Sequence, residues 1–418
     1  MSRRRLLEIP WPVPILSGLL VALGLLFVRS STAGTHVDGL ERRQLLVVAA
    51  SLPALLLFGA LAHRRLARLS FPLYFAGLLA LVVVLIAGVE VGGARRWFRG
   101  PADFLIQPSE LVKPLLVLGL ARWLEFRPAP RRLRELVVPF LLTLLPVALI
   151  RLEPDLATAL LLLPILAAML WAAGARALHY VGGALLVAVL VPAAYFSPFL
   201  ADYQKERVRT FLESVPELSA QAASARRAGD GESAARLERD IVDHKRGSGY
   251  QSHCAQTSIG SGGWSGKGLG QGPLNRLSYL PARHTDFVFA VIGEEWGLAG
   301  SVLVLALFLL LGLSLLSVAA GTRDRFSQLV SVGAAACFVT QAFANVAMAS
   351  GLLPVAGIPL PFVSQGGSSV LSSFVLLGIV VAAARSRRDG EPFLYPMRDL
   401  VDPFDAKTAA VPVRDVAL

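Results

Sequence analysis

The chain of 418 residues is 55% hydrophobic and only 17% charged, with a mean hydropathy of +0.60. A soluble protein of this length needs a polar surface that such a composition does not supply. The formal net charge of +11 comes from Arg far more than from Lys. Because most of the predicted cytoplasmic arginines lie in short loops between apolar blocks, the positive-inside rule accounts for them without a nucleic-acid partner.

Apolar blocks long enough to cross a bilayer recur along the chain, since a spanning helix needs about 20 residues. We predict an all-α integral membrane protein, a polytopic bundle of about ten transmembrane helices with one long extracytoplasmic loop. The first span is uncleaved, and the eighth is long enough to be tilted or broken. The predicted spans are residues 12–28, 45–61, 72–89, 110–124, 136–150, 156–173, 180–200, 287–318, 329–350 and 370–384.

Basic residues in the short loops predict which side of the membrane each loop faces. Both termini are expected in the cytoplasm, because arginines are more frequent in the loops on that side. Residues 1–388 are predicted to form one membrane domain, and residues 389–418 a polar, disordered cytoplasmic tail. Within the long outer loop, residues 214–245 are rich in Ala, Arg and Glu. We interpret them as a solvated insertion, with a helical hairpin on the membrane surface as the alternative.

Two charged clusters lie at the outer ends of predicted spans. Glu110 and Lys113 are one helical turn apart at the start of the fourth span. They form either a structural ion pair or a functional site, because ionisable residues in a membrane are costly unless they are paired. After the fifth span, Glu153 and Asp155 could line a polar cavity. An N-terminal cap of the sixth helix is the better interpretation of Asp155 alone.

Two outer loops are rich in glycine. Residues 258–268 resemble a phosphate-binding P-loop, but Ser261 replaces its first Gly and Gly268 replaces the Ser or Thr after Lys267. A glycine-rich loop around a lipid pyrophosphate, with Lys267 as a cation, remains open. The last outer loop, residues 351–369, contains Ser364 among many Gly and Pro residues. Such irregular backbone at membrane depth predicts burial in protein or beside a water-filled cavity.

Asp286 has the properties expected of a general base. It stands at the mouth of the eighth span beside Arg283 and His284, where polar substrate has access and the membrane surface partly desolvates the carboxylate. The alternative is a helix N-terminal carboxylate that interacts with backbone amides. The residues alone leave both interpretations open.

Neither a disulfide nor a protein metal site is expected. Cys254 lies in a polar loop and Cys337 inside an apolar block, so both should be free. The spacing of His253, Cys254 and His284 matches no usual metal-binding pattern.

Taken together, these motifs resemble the SEDS proteins RodA and FtsW of bacterial cell-wall synthesis. The resemblance runs from the first span to Arg388, interrupted by the insertion, and depends on the order and spacing of several strings. The matching strings are residues 93–97 with 107–110, 153–157, 203–207, 259–268, 280–297 and 351–369.

The resemblance implies a peptidoglycan glycosyltransferase that polymerises lipid II into nascent glycan strands at the outer face of the bacterial cytoplasmic membrane. It implies a class B penicillin-binding protein as partner, together with other elongation-complex membrane proteins. The essential Asp of the family falls on Asp286. A divalent cation (Mg or Mn) could neutralise the leaving pyrophosphate, although the sequence shows no dedicated site. The candidate substrate-binding residues are Trp97, Arg96, Glu110, Lys113, Arg207, Lys267 and Ser364.

Within the family, residues 93–97, 294–297 and 357–361 look more like RodA than FtsW, which favours elongation over division. Gln365 stands where the family usually has Tyr, and Cys254 and Ala255 stand where it usually has Gln-Ser. A lipid II flippase is the competing class. It should carry polar groups through the depth of the bundle, whereas here they concentrate at one side. A non-catalytic scaffold is disfavoured because Asp286 is retained.

Overall fold

The computed structural model describes residues 10–33, 39–91, 93–100, 104–127, 130, 132–197, 202–212, 215–228, 233 and 248–385. Ten long helices correspond one to one with the ten predicted spans. They are α1 (Pro12–Thr32), α2 (Leu40–Ala60), α3 (His63–Ala87), α4 (Pro108–Glu125), α5 (Leu133–Leu152), α6 (Leu156–Ala172), α7 (Ala177–Phe196), α12 (Val288–Gly321), α13 (Arg325–Ala349) and α14 (Gly367–Ala384).

Helices α4, α13 and α14 form the centre of the bundle. Helix α13 packs against α4, α6, α12 and α14, while α14 also packs against α2. Large apolar side chains on the outer helices are exposed, among them Leu46 of α2 and Leu185 of α7. Lipid tails solvate such surfaces as well as a protein core does, so this pattern fits a bundle immersed in a membrane.

Seven of the described helices are long and apolar enough to cross a membrane, and α6 and part of α7 are shorter apolar helices. Helix α4 differs because it carries four charged residues, two near each end. Its position at the centre of the bundle allows those groups to pair with each other, Glu110 with Lys113 and Arg122 with Glu125.

One span begins earlier than predicted, and another is broken. Helix α3 begins at His63 instead of residue 72, because three arginines extend it beyond the apolar stretch and Pro72 is accommodated inside it. Helix α12 is broken, as predicted, at Gly297, whose φ of 62° and ψ of −154° are not helical. Only glycine adopts that backbone region readily.

A small sheet lies in the loop between α3 and α4, and four shorter helices lie in the long loop between α7 and α12. The sheet was not predicted: β1 (Val89–Val91), β2 (Ala94–Arg99) and β3 (Leu105–Ile106) form an antiparallel sheet in the order β1-β2-β3. Trp97 pairs with Val89, and Phe98 with Ile106.

The helices α8 (Asp202–Leu212), α9 (Val215–Arg227), α10 (Ser248–Ser261) and α11 (Pro273–Arg276) lie in the long loop. Helix α9 lies within the predicted insertion. Residues 234–245, which would form the second half of the alternative helical hairpin, and the tail 389–418 lie outside the described residues.

Candidate active site

Asp286 lies in a tight turn directly before α12. The backbone amides of Thr285, Asp286 and Phe287 all donate to the carbonyl oxygen of Ala282, at 3.1, 3.0 and 3.2 Å. The residue that precedes the first turn of α12 is Phe287, which makes no side-chain cap. No hydrogen bond from the described residues ends on the Asp286 carboxylate, so the structure does not support the helix-capping alternative.

The Asp286 turn is held between the α13–α14 loop (residues 350–366) and α13. A Cβ atom built on Gly357 would lie 3.7 Å from Oδ2 of Asp286, at a backbone φ of +70°. The loop backbone therefore lies beside the carboxylate at a position that favours glycine. On the other side, Nδ2 of Asn345 donates to the backbone carbonyl oxygen of Asp286 at 2.8 Å.

The electrostatic surroundings of Asp286 suit a group that must accept a proton. Burial raises the pKa of the Asp286 carboxyl to about 6, with Arg207 opposing the rise and Asp155 adding to it. Nη1 of Arg207 donates to the carbonyl oxygen of Val355 at 3.2 Å, which brings α8 to the same loop. A carboxyl with this pKa is ionised at neutral pH and still basic enough for general-base catalysis.

Arg96 joins the small sheet to the turn after α5. Its Nε donates to the carbonyl oxygen of Glu153 at 2.6 Å and its Nη2 to that of Pro154 at 2.5 Å. The guanidinium carbon lies 5.9 Å from the centroid of the Trp97 ring. Arg96 thus commits two donors to backbone carbonyls, and the role in substrate binding predicted for Arg96 and Trp97 stays a prediction.

Asp155 connects three elements at this end of the bundle. Its Oδ1 accepts from the amide of Thr158 at 3.2 Å, which confirms the predicted cap of α6. Its Oδ2 accepts from Nε2 of Gln107 at 2.9 Å, and the amide of Gln107 donates to Oγ of Ser368 at 2.7 Å. The start of α4, the start of α6 and the start of α14 are therefore fixed to one another.

Glu153, in the same turn, is fully buried, and neither carboxylate oxygen has a partner among the described residues. Burial raises the pKa of Glu153 to about 8; the charge of Asp155 adds to the rise and Arg96 opposes it. Glu153 is therefore mostly neutral at pH 7, which avoids an unpaired buried charge.

Glu110 and Lys113 form the predicted pair, one turn apart on α4. Nζ of Lys113 lies 2.8 Å from Oε2 of Glu110 and 2.8 Å from Oε1 of Gln341. The side chains of Lys113 and Glu110 are only 2% and 5% exposed. The pair is thus part of the interior in this conformation, and direct contact of either residue with substrate stays a prediction.

Ser364 joins the α13–α14 loop to the Asp286 turn. Its hydroxyl donates to the carbonyl oxygen of Thr285 and accepts from the amide of Leu360, the latter at 2.8 Å. Ser364 is buried with both hydrogen bonds made inside the protein. Its contribution in the structure is to hold these two segments together, while the predicted contact with substrate is not tested.

Comparison with known proteins assigns the chain to a family. Residues 11–389 of the chain match the protein family that comprises FtsW, RodA and SpoVE, whose members are described as cell cycle proteins. The chain belongs to the FtsW/RodA/SpoVE family. The peptidoglycan glycosyltransferase MrdB of Escherichia coli K12 is 33% identical over 318 residues, which cover 76% of this chain and 78% of that protein. A probable peptidoglycan glycosyltransferase FtsW of Synechocystis is 38% identical over 324 residues, covering 74% and 73%.

Solved structures show the same fold. RodA, the rod shape determining protein of Thermus thermophilus, matches with a TM-score of 0.63 and 30% identity, over 90% of this chain and 97% of that one. A chain from a peptidoglycan synthase complex that coordinates polymerization and crosslinking matches with a TM-score of 0.71 and 32% identity, over 91% and 98%. The predicted family and the predicted multi-pass helical membrane fold are confirmed. The FtsW and RodA names both occur among the matches.

In this member of the FtsW/RodA/SpoVE family, the glycine-rich loop packs into the break in α12. The amides of Lys267 and Gly268 donate to the carbonyl oxygens of residues 294 and 295, at 3.1 and 2.9 Å. In return, the amides of residues 298 and 299 donate to the carbonyls of residues 263 and 264, at 2.8 and 3.1 Å. These two amides are therefore not available to a pyrophosphate, and the wider possibility of a backbone cradle in this loop is not tested. The side chain of Lys267 is exposed, and its role as a cation stays a prediction.

The close packing of this loop makes a stability prediction. A Cβ on Gly266 would lie 2.1 Å from the carbonyl oxygen of Glu295, and Gly266 has a φ of +76°. We expect Gly266→Ala to lower the free energy of unfolding by about 1–3 kcal/mol, measured as a lower thermal midpoint in detergent. Gly260→Ala in α10 is the matched control, because nothing lies within 4 Å of its Cβ position. Equal midpoints for the two variants would contradict the packing.

Two buried glutamates of α12 hold the segment that leads to Asp286. Glu294 accepts from two backbone amides of α11, at 2.9 and 3.1 Å. Glu295 accepts from Oγ of Ser30 at 2.6 Å and from Nδ2 of Asn275 at 2.7 Å. Arg283 donates to the carbonyl of Asn275 at 2.5 Å. These bonds satisfy charges that would otherwise be costly to bury.

Within the described residues, no group of three or more His, Cys, Asp or Glu could hold a metal ion. A divalent cation bound together with the leaving pyrophosphate stays a prediction, and the proposed reaction does not depend on one. Cys254 and Cys337 are free cysteines, and both are buried, including Cys254, which the sequence places in a polar loop.

Two residues that contact the site, Gln341 and Asn345, were not predicted from the sequence. Both lie in the predicted ninth span and are buried in α13. A signal was present, because two amides spaced i,i+4 inside an apolar span lie on one helix face and need partners in the protein.

Proposed function

We propose that this chain polymerises lipid II into glycan strands and that Asp286 is its general base. One observation carries the proposal: a carboxylate without a hydrogen bond of its own lies at the mouth of the bundle, with its pKa raised to about 6 by burial. Hydrogen bonds from within the protein occupy the buried carboxylates of Glu294 and Glu295 in α12, whereas the Asp286 carboxylate is left for a partner from outside. Family membership and the names of the relatives support the same activity.

The reaction is a displacement at the anomeric carbon of the donor strand. The 4-hydroxyl oxygen of the acceptor GlcNAc forms the new bond to that carbon as the bond to the pyrophosphate oxygen breaks. The proton of the hydroxyl passes to the carboxylate of Asp286, and the electron pair leaves with undecaprenyl pyrophosphate. A positioned base contributes about 10²–10⁴-fold to such a rate.

Cations near Asp286 would stabilise the charge that develops on the leaving pyrophosphate. Arg207 is the best placed, since its charge acts on Asp286 and its guanidinium contacts the α13–α14 loop. Arg96 and Trp97 lie on the neighbouring sheet, and Lys267 on the exposed side of the glycine-rich loop. Lys113 acts in this proposal through the interior pair with Glu110.

The cellular setting follows from the same proposal. The site faces the outside of the bacterial cytoplasmic membrane, with both termini in the cytoplasm, and the partner is a class B penicillin-binding protein that crosslinks the new strand. The match to a chain of a peptidoglycan synthase complex supports a crosslinking partner. An elongation role, with division as the alternative, is tested by depletion: loss of rod shape supports elongation, and filaments support division.

The direct test is polymerisation of fluorescent lipid II by the purified protein together with its transpeptidase partner. We expect ladders of glycan strands on a denaturing gel. The matched measurement places lipid II on one side of liposomes that contain the protein and follows its transfer to the other side. Protein-dependent transfer without any ladder would replace the proposal with the flippase.

The pH dependence of the polymerisation rate on the acid side gives a separate prediction. Because the base must be unprotonated, the initial rate should fall about tenfold for each pH unit below the Asp286 pKa of about 6 and level off above pH 7. The measurement is the initial rate of lipid II polymerisation between pH 4.5 and 8, with the folded fraction checked at each pH by size exclusion. A rate independent of pH in this range would contradict Asp286 as a base of raised pKa.

A further inference from the structure

The side chain of Asn345 binds two separate segments of the candidate active site. Its Nδ2 donates to the backbone carbonyl of Asp286 at 2.8 Å and to that of Ile358 at 2.7 Å. Both acceptors are carbonyl oxygens, which only accept, so the orientation of the amide is fixed by chemistry. Asn345 is fully buried. Each of its two N–H groups is therefore used to join the Asp286 turn to the α13–α14 loop.

Gln341, one turn earlier on α13, extends this arrangement. Its Nε2 donates to the carbonyl of Pro359 at 2.9 Å, while its Oε1 accepts from Nζ of Lys113 at 2.8 Å. Two consecutive carbonyls of the loop, those of Ile358 and Pro359, are thus held by two amides of one helix. The helix is well suited to this task because it lies at the centre of the bundle.

We propose that Asn345 is a positioning residue for the general base, one that fixes the Asp286 turn against the α13–α14 loop. The inference rests on the proposed function, since it assigns a role toward the base of that reaction. Asn345 touches only the backbone of Asp286 and acts on the carboxylate through it. The adjacent Gly357, close to Oδ2 of Asp286, lies in the same held segment.

The Asp286 turn and the α13–α14 loop need such a residue because their backbone is irregular. Residues 352–360 form no helix or strand, and the Asp286 turn is closed through the single carbonyl of Ala282. Without the amide of Asn345, the part-buried carbonyl of Asp286 and the buried carbonyl of Ile358 lose this donor. The link between the two segments is then left to the hydrogen bonds from Ser364 and Gln365, which allows the Asp286 turn to shift. Misplacement of a catalytic group by about 1 Å can cost about 10²-fold in rate.

The experiment compares wild type with Asn345→Ala and Asn345→Ser in the polymerisation assay with the transpeptidase partner. Both variants remove the N–H groups, and Asn345→Ser leaves less empty volume if Asn345→Ala does not fold. The matched control is Ser331→Ala on the same helix, whose buried hydroxyl donates only to its own helix at Ser327. Rates are expressed per folded protein, judged by size exclusion and thermal midpoint.

We expect kcat of the Asn345 variants to fall by at least about tenfold with KM for lipid II changed less than about twofold. We also expect the midpoint of the acid limb to move to lower pH, because water reaches a carboxylate that is no longer enclosed. A purely structural residue would lower the folded fraction and leave that midpoint in place.

The outcomes separate the inference from the function on which it rests. An active wild type whose acid limb and kcat are matched by folded Asn345→Ser overturns the positioning role alone. A folded wild type that makes no glycan overturns the proposed function. A shifted acid limb in the Asn345 variants, absent from Ser331→Ala, supports both.

Discussion

Replacing Asp286 by Asn is expected to reduce glycan polymerisation by at least about 10²-fold while the protein remains folded. Asn has the same shape but cannot accept the proton of the attacking hydroxyl at neutral pH. The structure gives a reason for normal folding, because no hydrogen bond from the described residues ends on the Asp286 carboxylate. Its backbone bonds, to Ala282 and from Asn345, are unaffected by the substitution.

The measurement is the initial rate of ladder formation from fluorescent lipid II with the transpeptidase partner present. Asp324→Asn is the matched control. Asp324 caps α13 by accepting from the amide of Ser327 at 2.9 Å, at the opposite end of that helix from the Asp286 turn. We expect near wild-type rates from the control. Equal rates from the two variants would clear Asp286 of the catalytic role and direct attention to Glu110.

The bundle itself was predictable from the sequence because each span is a local property. A helix that crosses a membrane satisfies its own backbone, so about 20 apolar residues suffice to predict it. The break in α12 was also expected from its length. The cap by Asp155 and the pair of Glu110 with Lys113 were predictable for the same reason, since their partners lie three residues away.

The features that could not be predicted from the sequence depend on residues far apart along the chain. The glycine-rich loop resembled a phosphate cradle because glycines serve both purposes, and only the fold shows that Gly266 lies against Glu295. The role of Asn345 requires the turn at Asp286 and the loop at Ile358 to meet at α13. The strands within residues 89–106 are two to six residues long and depend on pairing with one another, so they are too short for a periodic pattern to predict them.

The second large effect concerns the interior pair on α4. Replacing Lys113 by Met removes the positive charge and leaves the Glu110 carboxylate buried without its partner. We expect a loss of about 3–5 kcal/mol in the free energy of unfolding, because an uncompensated buried charge is among the most costly defects. The measurement is thermal unfolding in detergent, followed by the loss of monodisperse protein on size exclusion.

Helix α4 supplies its own control. Arg122 and Glu125 form a second i,i+3 pair at 2.6 Å, but their side chains are 27% and 16% exposed. Arg122→Met should therefore cost about 1 kcal/mol or less, since solvent screens the remaining charge. Similar losses from Lys113→Met and Arg122→Met would contradict the view that burial makes the first pair costly to break.

The double variant Glu110→Gln with Lys113→Met decides between the two interpretations of the pair that the sequence left open. It removes both charges at nearly constant volume, so most of the lost stability should return. The double variant still lacks the hydrogen bond from Lys113 to Gln341, the residue that holds the α13–α14 loop at Pro359. We therefore expect polymerisation to recover in large part, but less completely than stability. Recovered stability without recovered polymerisation would mean instead that the charges themselves act on substrate, which would require the interior of α4 to open during the reaction.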